Sequence, residues 1–287
     1  MMYLILSVLT NAAIYWLFKY FERIGAKIFE TIVFNYIIAF SCGIFFVPNV
    51  SEAFQSAMQF PIWSVAGFIM GGLFISVFYF MAITAKKSGI AMATLSSKMS
   101  LVLAVIALAF LGKGEITVLK AVALVIAMFG LYMFSVDRKS KFNKDMLLYP
   151  VILMLGSTSV DFSIAYFQGF TTNQNELSLF TCMPFMGAGM IGISILVYKM
   201  VFKKESFPVK EMGTGTLLGL VNYGSIFFLV ELYHLGWMPE STILPVNNLL
   251  VLVVGSLGAV LVFKENLNRR KIQGLGICLF SLVLLLL

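Results

Sequence analysis

Long apolar runs separated by short polar breaks make up nearly the whole chain. Each run is continuously apolar rather than alternating, so it indicates a helix and not a strand of a membrane barrel. A helix needs about 20 mostly apolar residues to cross a bilayer, because lipid offers its backbone no hydrogen-bond partner. The runs predict ten transmembrane helices, at Met2–Phe18, Ile28–Val47, Trp63–Ala85, Gly89–Leu111, Thr117–Val136, Met146–Phe167, Leu177–Met200, Gly213–Tyr233, Ser241–Phe263 and Ile272–Leu287.

Composition agrees with a membrane protein. Of the 287 residues, 60% are hydrophobic and 11% are charged, and the mean hydropathy is +0.97. A soluble protein this apolar would expose large sticky patches. The net charge of +7 comes from basic residues in the breaks between apolar runs, where loop lysines and arginines of membrane proteins lie. We therefore expect a lipid bilayer as partner, and no nucleic acid.

Basic residues are distributed unevenly among the loops. The loops after predicted helices one, three, seven and nine carry lysine or arginine, whereas those after helices two, six and eight carry neither. In the first half the basic loops follow the first and third helices, and in the second half they follow the second and fourth. Because basic loops stay in the cytoplasm, the two halves have opposite orientations, as two inverted five-helix repeats require. We expect a multi-pass protein of a bacterial inner (plasma) membrane with both termini outside the cytoplasm. Lys113, after helix four, is the exception.

The most polar break divides the chain into two halves of five predicted helices each. It gives a first repeat at 1–136, a basic linker at 137–145 and a second repeat at 146–287. The stretch from Met2 can be laid on the stretch from Leu148, and the end of helix four on the end of helix nine. We expect an all-α membrane protein built from two inverted five-helix repeats.

Two stretches, "FLGKGEIT" and "LVFKENLNRRKIQGLGICLFSLVLL", carry a family resemblance. With Glu115 and Glu265 past helices four and nine, Pro245 in helix nine, and Gly274 and Gly276 in the last helix, the chain resembles the EamA-like branch of the drug/metabolite transporter superfamily. The resemblance implies a central cavity, walled by helices one, three, four, six, eight and nine and reached alternately from each side. Unlike many such proteins, this chain has no basic loop after helix two.

Lys98 lies deep inside the fourth predicted helix, in "MATLSSKMSLVLAVIALAF". A lysine near the bilayer centre costs about 2.5–3.5 kcal/mol on insertion scales, so a position facing lipid is disfavoured. We interpret Lys98 and its neighbour Ser97 as part of a substrate site in the cavity. The alternative is a structural lysine that hydrogen-bonds carbonyls or helix ends.

Asp161 is the one carboxylate well inside an apolar run, and it shares a helical face with Ser157 and Thr158. It is a candidate either for proton coupling or for the counter-ion of Lys98. Asn247 and Asn248 of helix nine match Ser97 and Lys98 in the other half, and buried amides need partners that a substrate can supply. Further substrate-binding candidates are Asn11, Tyr15, Tyr79, Asn222 and Tyr223.

These residues favour a secondary transporter of a small polar metabolite, working by alternating access. Lys98 favours an anionic or zwitterionic substrate, such as an amino acid, an organic acid or a phosphorylated compound. The alternative is a proton-coupled exporter of cationic drugs or amines that relies on Asp161, and a channel or lipid scramblase ranks lower. We expect no enzyme activity, no cofactor and no metal, because one histidine and one deep aspartate make no catalytic pair. We expect a monomer or a weak dimer.

Overall fold

The protein is all-helical in the part described by the computed structural model, which covers residues 1–88, 90–113, 115–135, 148–264 and 268–286. These residues contain eleven α-helices, no strand, and a short 3-10 turn at Gln168–Phe170. The helices are α1 Met2–Arg23, α2 Ile28–Phe45, α3 Val50–Ala57, α4 Ile62–Ser88, α5 Ile90–Phe110, α6 Val118–Ser135, α7 Leu148–Phe167, α8 Gln174–Phe202, α9 Val209–His234, α10 Glu240–Phe263 and α11 Arg269–Leu286.

Each of the ten apolar runs coincides with one of these helices. The largest change at a described end is in α1, which continues five residues beyond the predicted Phe18, to Arg23. There Gly25 adopts a left-handed backbone with a φ of 66°, and the N–H of Ala26 donates to the carbonyl of Phe21, a common helix-ending arrangement. Some predicted features lie outside the described residues: the helix ends Gly89, Val136, Met146 and Leu287, the linker 137–145, and Glu265 of the family resemblance.

Helix α3 is a correction to the ten-helix prediction, which placed a loop between helices two and three. It has eight residues and no long apolar run, so hydropathy gives no signal for it. Its start is stabilised by Asn49, whose side chain accepts a hydrogen bond from the N–H of Glu52 and donates another to the Glu52 carboxylate. Ala53 and Ala57 form its buried face. A short capped helix of this kind is specified by local bonds rather than by hydropathy.

Seven helices of the described chain are long and apolar enough to cross a membrane. Two shorter apolar helices lie at Ser96–Phe110 and Val118–Phe134. These properties are those of a multi-pass membrane protein. Ten membrane crossings stay a prediction. The seven spans are Met2–Phe21, Ile28–Phe45, Ile62–Met81, Leu148–Phe170, Gln174–Phe202, Val209–His234 and Glu240–Phe263.

The helices form two compact units. The first unit comprises Met1–Ile75 and Phe167–His234, and the second comprises Ser76–Tyr166 and Leu235–Leu287. Each unit therefore contains helices from both predicted repeats, and α4 contributes to both units. The division into repeats at 1–136 and 146–287 describes the sequence and stays a prediction.

In the first unit, α2 packs against α8 and α9, and α1 packs against α9. Two glycines of α9 lie directly on the backbone of α2: a side-chain carbon at Gly219 would lie 2.7 Å from the carbonyl oxygen of Asn35, and Gly215 contacts Phe34 and Thr31. Small residues allow such close approach, and close approach increases the van der Waals contact that holds membrane helices together.

In the second unit, α6 packs against α11, and α5 packs against α10. Gly130 of α6 lies on Gly274 of α11, and the Ser281 hydroxyl donates to the carbonyl of Ala123, at 2.7 Å. The pairing of α5 and α10 is antiparallel, because Lys113, just past the end of α5, lies 3.7 Å from the carboxylate of Glu240 at the start of α10. This second unit holds the residues with the most distinctive chemistry.

Candidate functional site

Lys98 is buried in the second unit. Lys98 is only 9% exposed, and the other residues of its helix, α5, are mostly apolar. The Nζ donates a hydrogen bond to the Oδ1 of Asn248 on α10, at 2.9 Å. An ammonium removed from water is costly unless polar groups surround it, and a bond to a charged donor contributes about 1.5–3 kcal/mol. The antiparallel pairing of α5 and α10 puts this amide within reach.

Helix α10 presents two consecutive amides beside a proline. Asn247 is 3% exposed and Asn248 is half-buried. Pro245 lies inside the helix and lacks an N–H, so the carbonyl four residues earlier, in Ser241, has no helical donor from that position. The turn of α10 that precedes the two asparagines therefore has one helical hydrogen bond fewer.

Asp161 of α7 is held by a serine of α5. The Ser100 hydroxyl lies 2.8 Å from the Oδ2 of Asp161 and 2.6 Å from the carbonyl oxygen of Ser97. The one hydrogen of that hydroxyl can be given to either acceptor. Ser100 is two residues from Lys98 on α5, so the hydrogen bond places the Asp161 carboxyl on the same part of that helix as the ammonium.

More hydroxyls link α5 and α7. The Ser157 Oγ donates to the Oγ of Ser97 at 3.3 Å, and the Thr158 Oγ1 lies 3.5 Å from the carbonyl oxygen of Ser100. Together with the groups above they form a polar cluster on three apolar helices. We call it the polar cluster, and its members are Ser97, Lys98, Ser100, Ser157, Asp161 and Asn248.

The polar cluster offers one cation, one carboxyl and several neutral hydrogen-bonding groups. Lys98 and Asn248 can donate to an anionic group, whereas Asp161 and the serine hydroxyls can accept from an ammonium or a hydroxyl. The Ser100 hydroxyl can donate to the ionised Asp161 carboxylate or accept from the protonated carboxyl. Asp161 can therefore be hydrogen-bonded in either protonation state. The cluster therefore suits reversible binding of a small polar molecule or of a proton.

The structure brings together only part of the predicted site. Lys98, Asn247, Asn248, Ser97 and Asp161 all belong to the second unit, as does Tyr79, whose side chain is exposed. The other predicted residues belong to the first unit. They are Asn11, Tyr15, Asn222 and Tyr223.

Two asparagines predicted for the site have partners inside the first unit. The Asn222 side chain is buried and donates to the Oδ1 of Asn35 at 3.1 Å, and Asn11 donates to the carbonyl of Ser7 at 3.0 Å. Both contacts fit the structural role that buried amides often have. Tyr223 is buried, and Tyr15 is partly exposed.

Sequence reasoning missed a partly buried ion pair in the first unit. Glu30, in the first turn of α2, is 5% exposed, and its Oε1 lies 2.8 Å from the Nζ of Lys199, in the last turn of α8. Lys199 also lies 4.6 Å from the centroid of the Phe29 ring. The signal available in the sequence was a carboxylate two residues inside an apolar run, a position that also fits a helix end at the membrane surface.

An apolar groove of about 370 Å³ lies in the first unit, on α4 and α8. It includes none of the predicted site residues. Its lining is formed by Phe68, Ile69, Gly72, Gly187, Met190, Ile191 and Ser194.

No metal site is found in the described ranges: no three His, Cys, Asp or Glu side chains there are grouped so that they could hold an ion. The three cysteines, Cys42, Cys182 and Cys278, are free thiols. The expected absence of metal and cofactor stays a prediction, as does the absence of enzyme activity.

Comparison with known proteins places the fold but no activity. No family model matches the chain. A protein of Haemophilus influenzae (strain ATCC 51907 / DSM 11121 / KW20 / Rd), described as an uncharacterized protein, is 22% identical over 97% of this chain and 94% of its own length. A protein of known crystal structure is 14% identical and matches with a TM-score of 0.72, over 99% of this chain and 94% of that chain. At such low identity the likeness shows a shared fold alone.

Proposed function

We propose that the protein is a secondary active transporter of a small anionic or zwitterionic metabolite, working by alternating access in the bacterial inner membrane. The observation that carries the proposal is the polar cluster, in which the buried Lys98 bonds Asn248 while Asp161 accepts a hydrogen bond from Ser100, two residues from Lys98 on α5. Ionisable groups inside membrane helices are costly and in general mark substrate or ion pathways. The resemblance to EamA-like transporters agrees with this function and remains part of the proposal.

The spacing of the helices supports two repeats. For three helix pairs, the residues before both starts are described, and the interval along the chain is nearly constant. From the start of α4 to the start of α9 it is one position longer than from the start of α2 to the start of α8, and from α6 to α11 it is five positions longer.

The packing of α2 on α8 has the symmetry that inverted repeats require. Gly43 of α2 lies on Cys182 of α8, and Gly189 of α8 lies on Tyr36 of α2. By the interval between the starts of α2 and α8, Gly43 corresponds to Gly189, and Tyr36 corresponds to Cys182. Replacing both residues of one contact by their counterparts in the other half therefore gives the other contact. Gly43 follows Tyr36 along α2, whereas its contact Cys182 precedes Gly189 along α8, so the two helices are antiparallel, as two repeats of opposite orientation need.

A second pair of contacts follows the same rule. Gly67 of α4 lies on Phe180 of α8, and Gly215 of α9 lies on Phe34 of α2. The two phenylalanines are separated by the same interval as the starts of α2 and α8, and the two glycines by one position more than the starts of α4 and α9. Inverted repeats allow one protein to open alternately to each side of the membrane, so these contacts support a carrier over a channel.

The charges of the polar cluster support the substrate class. Lys98 is its cation, and a carboxylate or phosphate of the substrate would offer it a charge-assisted hydrogen bond. Asp161 would bind either the ammonium of a zwitterion or a proton that is carried along. Coupling to protons is thus part of the proposal, and it depends on Asp161.

A proton-coupled exporter of cations is the second candidate. Asp161 favours it, because a carboxyl held by one serine can exchange a proton for a cationic substrate. Lys98 opposes it, because an ammonium in the same polar cluster repels a second cation. The two candidates therefore differ in which residue the substrate contacts.

One experiment separates these functions. Purified protein in proteoliposomes is given glutamate, citrate, inorganic phosphate, glucose or choline, and uptake under a proton gradient is measured together with ligand-induced shifts of the melting temperature. We expect uphill movement of an anionic or zwitterionic compound. We expect Lys98→Met to weaken its binding at least tenfold, about 1.4 kcal/mol, and to leave glucose and choline unchanged. Accumulation of choline alone would favour the exporter, and purely downhill flux would contradict a coupled carrier.

A further inference from the structure

Lys98 and Asn248 occupy equivalent places in the two halves of the chain. Laying the stretch that leads to Glu115 on the stretch that leads to Glu265 matches Lys98 of α5 with Asn248 of α10. The two glutamates are 150 residues apart in the sequence, and so are the two side chains that form the hydrogen bond. The hydrogen bond between Nζ and Oδ1 therefore joins a position to its own counterpart.

Contact between counterparts has a geometric meaning. In an object with twofold symmetry, a point and its symmetry mate approach each other only close to the axis. A second contact of this kind occurs between α6 and α11, where the thiol of Cys278 lies 3.9 Å from the carbonyl oxygen of Ala127. The interval between these two residues equals the interval between the starts of their helices. Two independent helix pairs thus mark the same kind of location.

We propose that the Lys98–Asn248 pair lies on the pseudo-twofold axis relating the two halves, and that the site requires one ammonium and one amide there, in either order. The inference rests on the proposed function, which supplies the inverted repeats. It deepens that function by naming Asn248 as the fixed partner of Lys98 and by assigning the pair to the anionic group of the substrate.

A pair on the axis behaves differently from a gate. In a transporter built from inverted repeats, the inward-open and outward-open states exchange the conformations of the two halves. When the protein changes from one state to the other, a contact away from the axis is broken and the equivalent contact in the other half forms. A contact on the axis is its own equivalent, so it is present in both states. The Lys98–Asn248 bond is therefore kept in both states, and the ammonium meets the substrate from either side of the membrane.

The surroundings permit the two side chains to be exchanged. Position 248 is half-buried and position 98 is buried, so the longer lysine would move to the more open place and the shorter asparagine to the tighter one. Lysine at both positions would bring two ammonium groups together in a site of low polarity, which is strongly unfavourable. Asparagine at both positions would keep a hydrogen bond but lose the cation.

The test compares Lys98→Asn, Asn248→Lys and the double exchange. We expect Asn248→Lys alone to lower the melting temperature of the purified protein and the double exchange to restore most of that loss. With glutamate, citrate and inorganic phosphate as probes, we expect Lys98→Asn to bind the effective probe at least tenfold more weakly. The double exchange should bind it within threefold of the unaltered protein.

A second exchange serves as control. Ser100 and Asp161 are also hydrogen-bonded, but they are 61 residues apart and are not counterparts, so exchanging them should restore neither stability nor binding. The inference is overturned if the Lys98–Asn248 exchange is no more stable than Asn248→Lys alone, or binds no better than Lys98→Asn. If the unaltered protein binds none of the three probes, the proposed substrate class fails, and the melting temperatures alone decide whether the pair lies on the axis.

Discussion

Adjacent glycines of α4 give a direct measure of how tightly the helices of the first unit pack. A side-chain carbon at Gly71 would lie 2.6 Å from the Cα of Gly187 on α8, a contact between backbones that no side-chain rotation relieves. At Gly72 the nearest such atom is the Cδ1 of Ile191, at 4.0 Å, which is an ordinary van der Waals distance. We expect Gly71→Ala to destabilise the protein and Gly72→Ala to be neutral or stabilising.

The magnitude follows from two opposing effects. Inserting a methyl group into a closely packed interface costs about 1–3 kcal/mol, because the helices must move apart. Replacing glycine by alanine inside a helix gains about 0.8–1.0 kcal/mol in water. The second effect is common to both variants and cancels in their difference. The difference in free energy of unfolding between Gly71→Ala and Gly72→Ala should therefore be about 1–3 kcal/mol.

The assay is unfolding of the purified protein in mixed detergent micelles, followed by circular dichroism. A second pair of glycines, on α9, provides an independent control. Gly219 lies on the backbone of α2, whereas a side-chain carbon at Gly213 would meet no atom of the described chain within 4 Å outside its own stretch of helix. Gly219→Ala should be the less stable of the two. Equal stabilities within both pairs would refute the close packing of α4 on α8 and of α9 on α2.

Two other predictions concern coupling and orientation. Asp161→Asn should leave expression intact but lower concentrative uptake and flatten its pH dependence in proteoliposomes, because the amide can still accept from Ser100 but cannot titrate; unchanged pH-dependent uptake would exclude the coupling role. A reporter fused after Leu287 should be active outside the cytoplasm, as the loop charges predict, and activity confined to the cytoplasm would reverse the assigned orientation.

Much of the helical architecture could be predicted, because continuous apolar runs leave a helix as the main way to satisfy the backbone in lipid. The exception, α3, depends on the bonds of Asn49 and on two buried alanines, which hydropathy does not register. The limits of α1 likewise depended on a turn at Gly25 rather than on the apolar run.

The candidate site was less predictable. The depth of Lys98 and Asp161 could be read from the apolar residues around them, and the match between halves pointed to Asn248. The link between Ser100 and Asp161 could not, because it joins α5 to α7 and depends on how the two helices are rotated about their axes. The Glu30–Lys199 pair raised the same difficulty, since its two residues are 169 positions apart.

For the inverted repeats that we propose, contacts between helices also explain why the two halves resemble each other so little in sequence. Thr10 of α1 lies on Gly224 of α9, and Gly156 of α7 lies on Val77 of α4. Thr10 corresponds to Gly156 by the interval between the starts of α2 and α8, and Val77 corresponds to Gly224 by the interval between the starts of α4 and α9. In the first contact the larger residue, Thr10, is on α1. In the second contact the equivalent helix, α7, provides the glycine instead. Close packing needs one small and one larger residue at each contact, but not on a particular helix. Two repeats such as we propose can therefore keep the same contacts while exchanging the residues that make them, and an alignment of residues then underestimates the symmetry of those contacts.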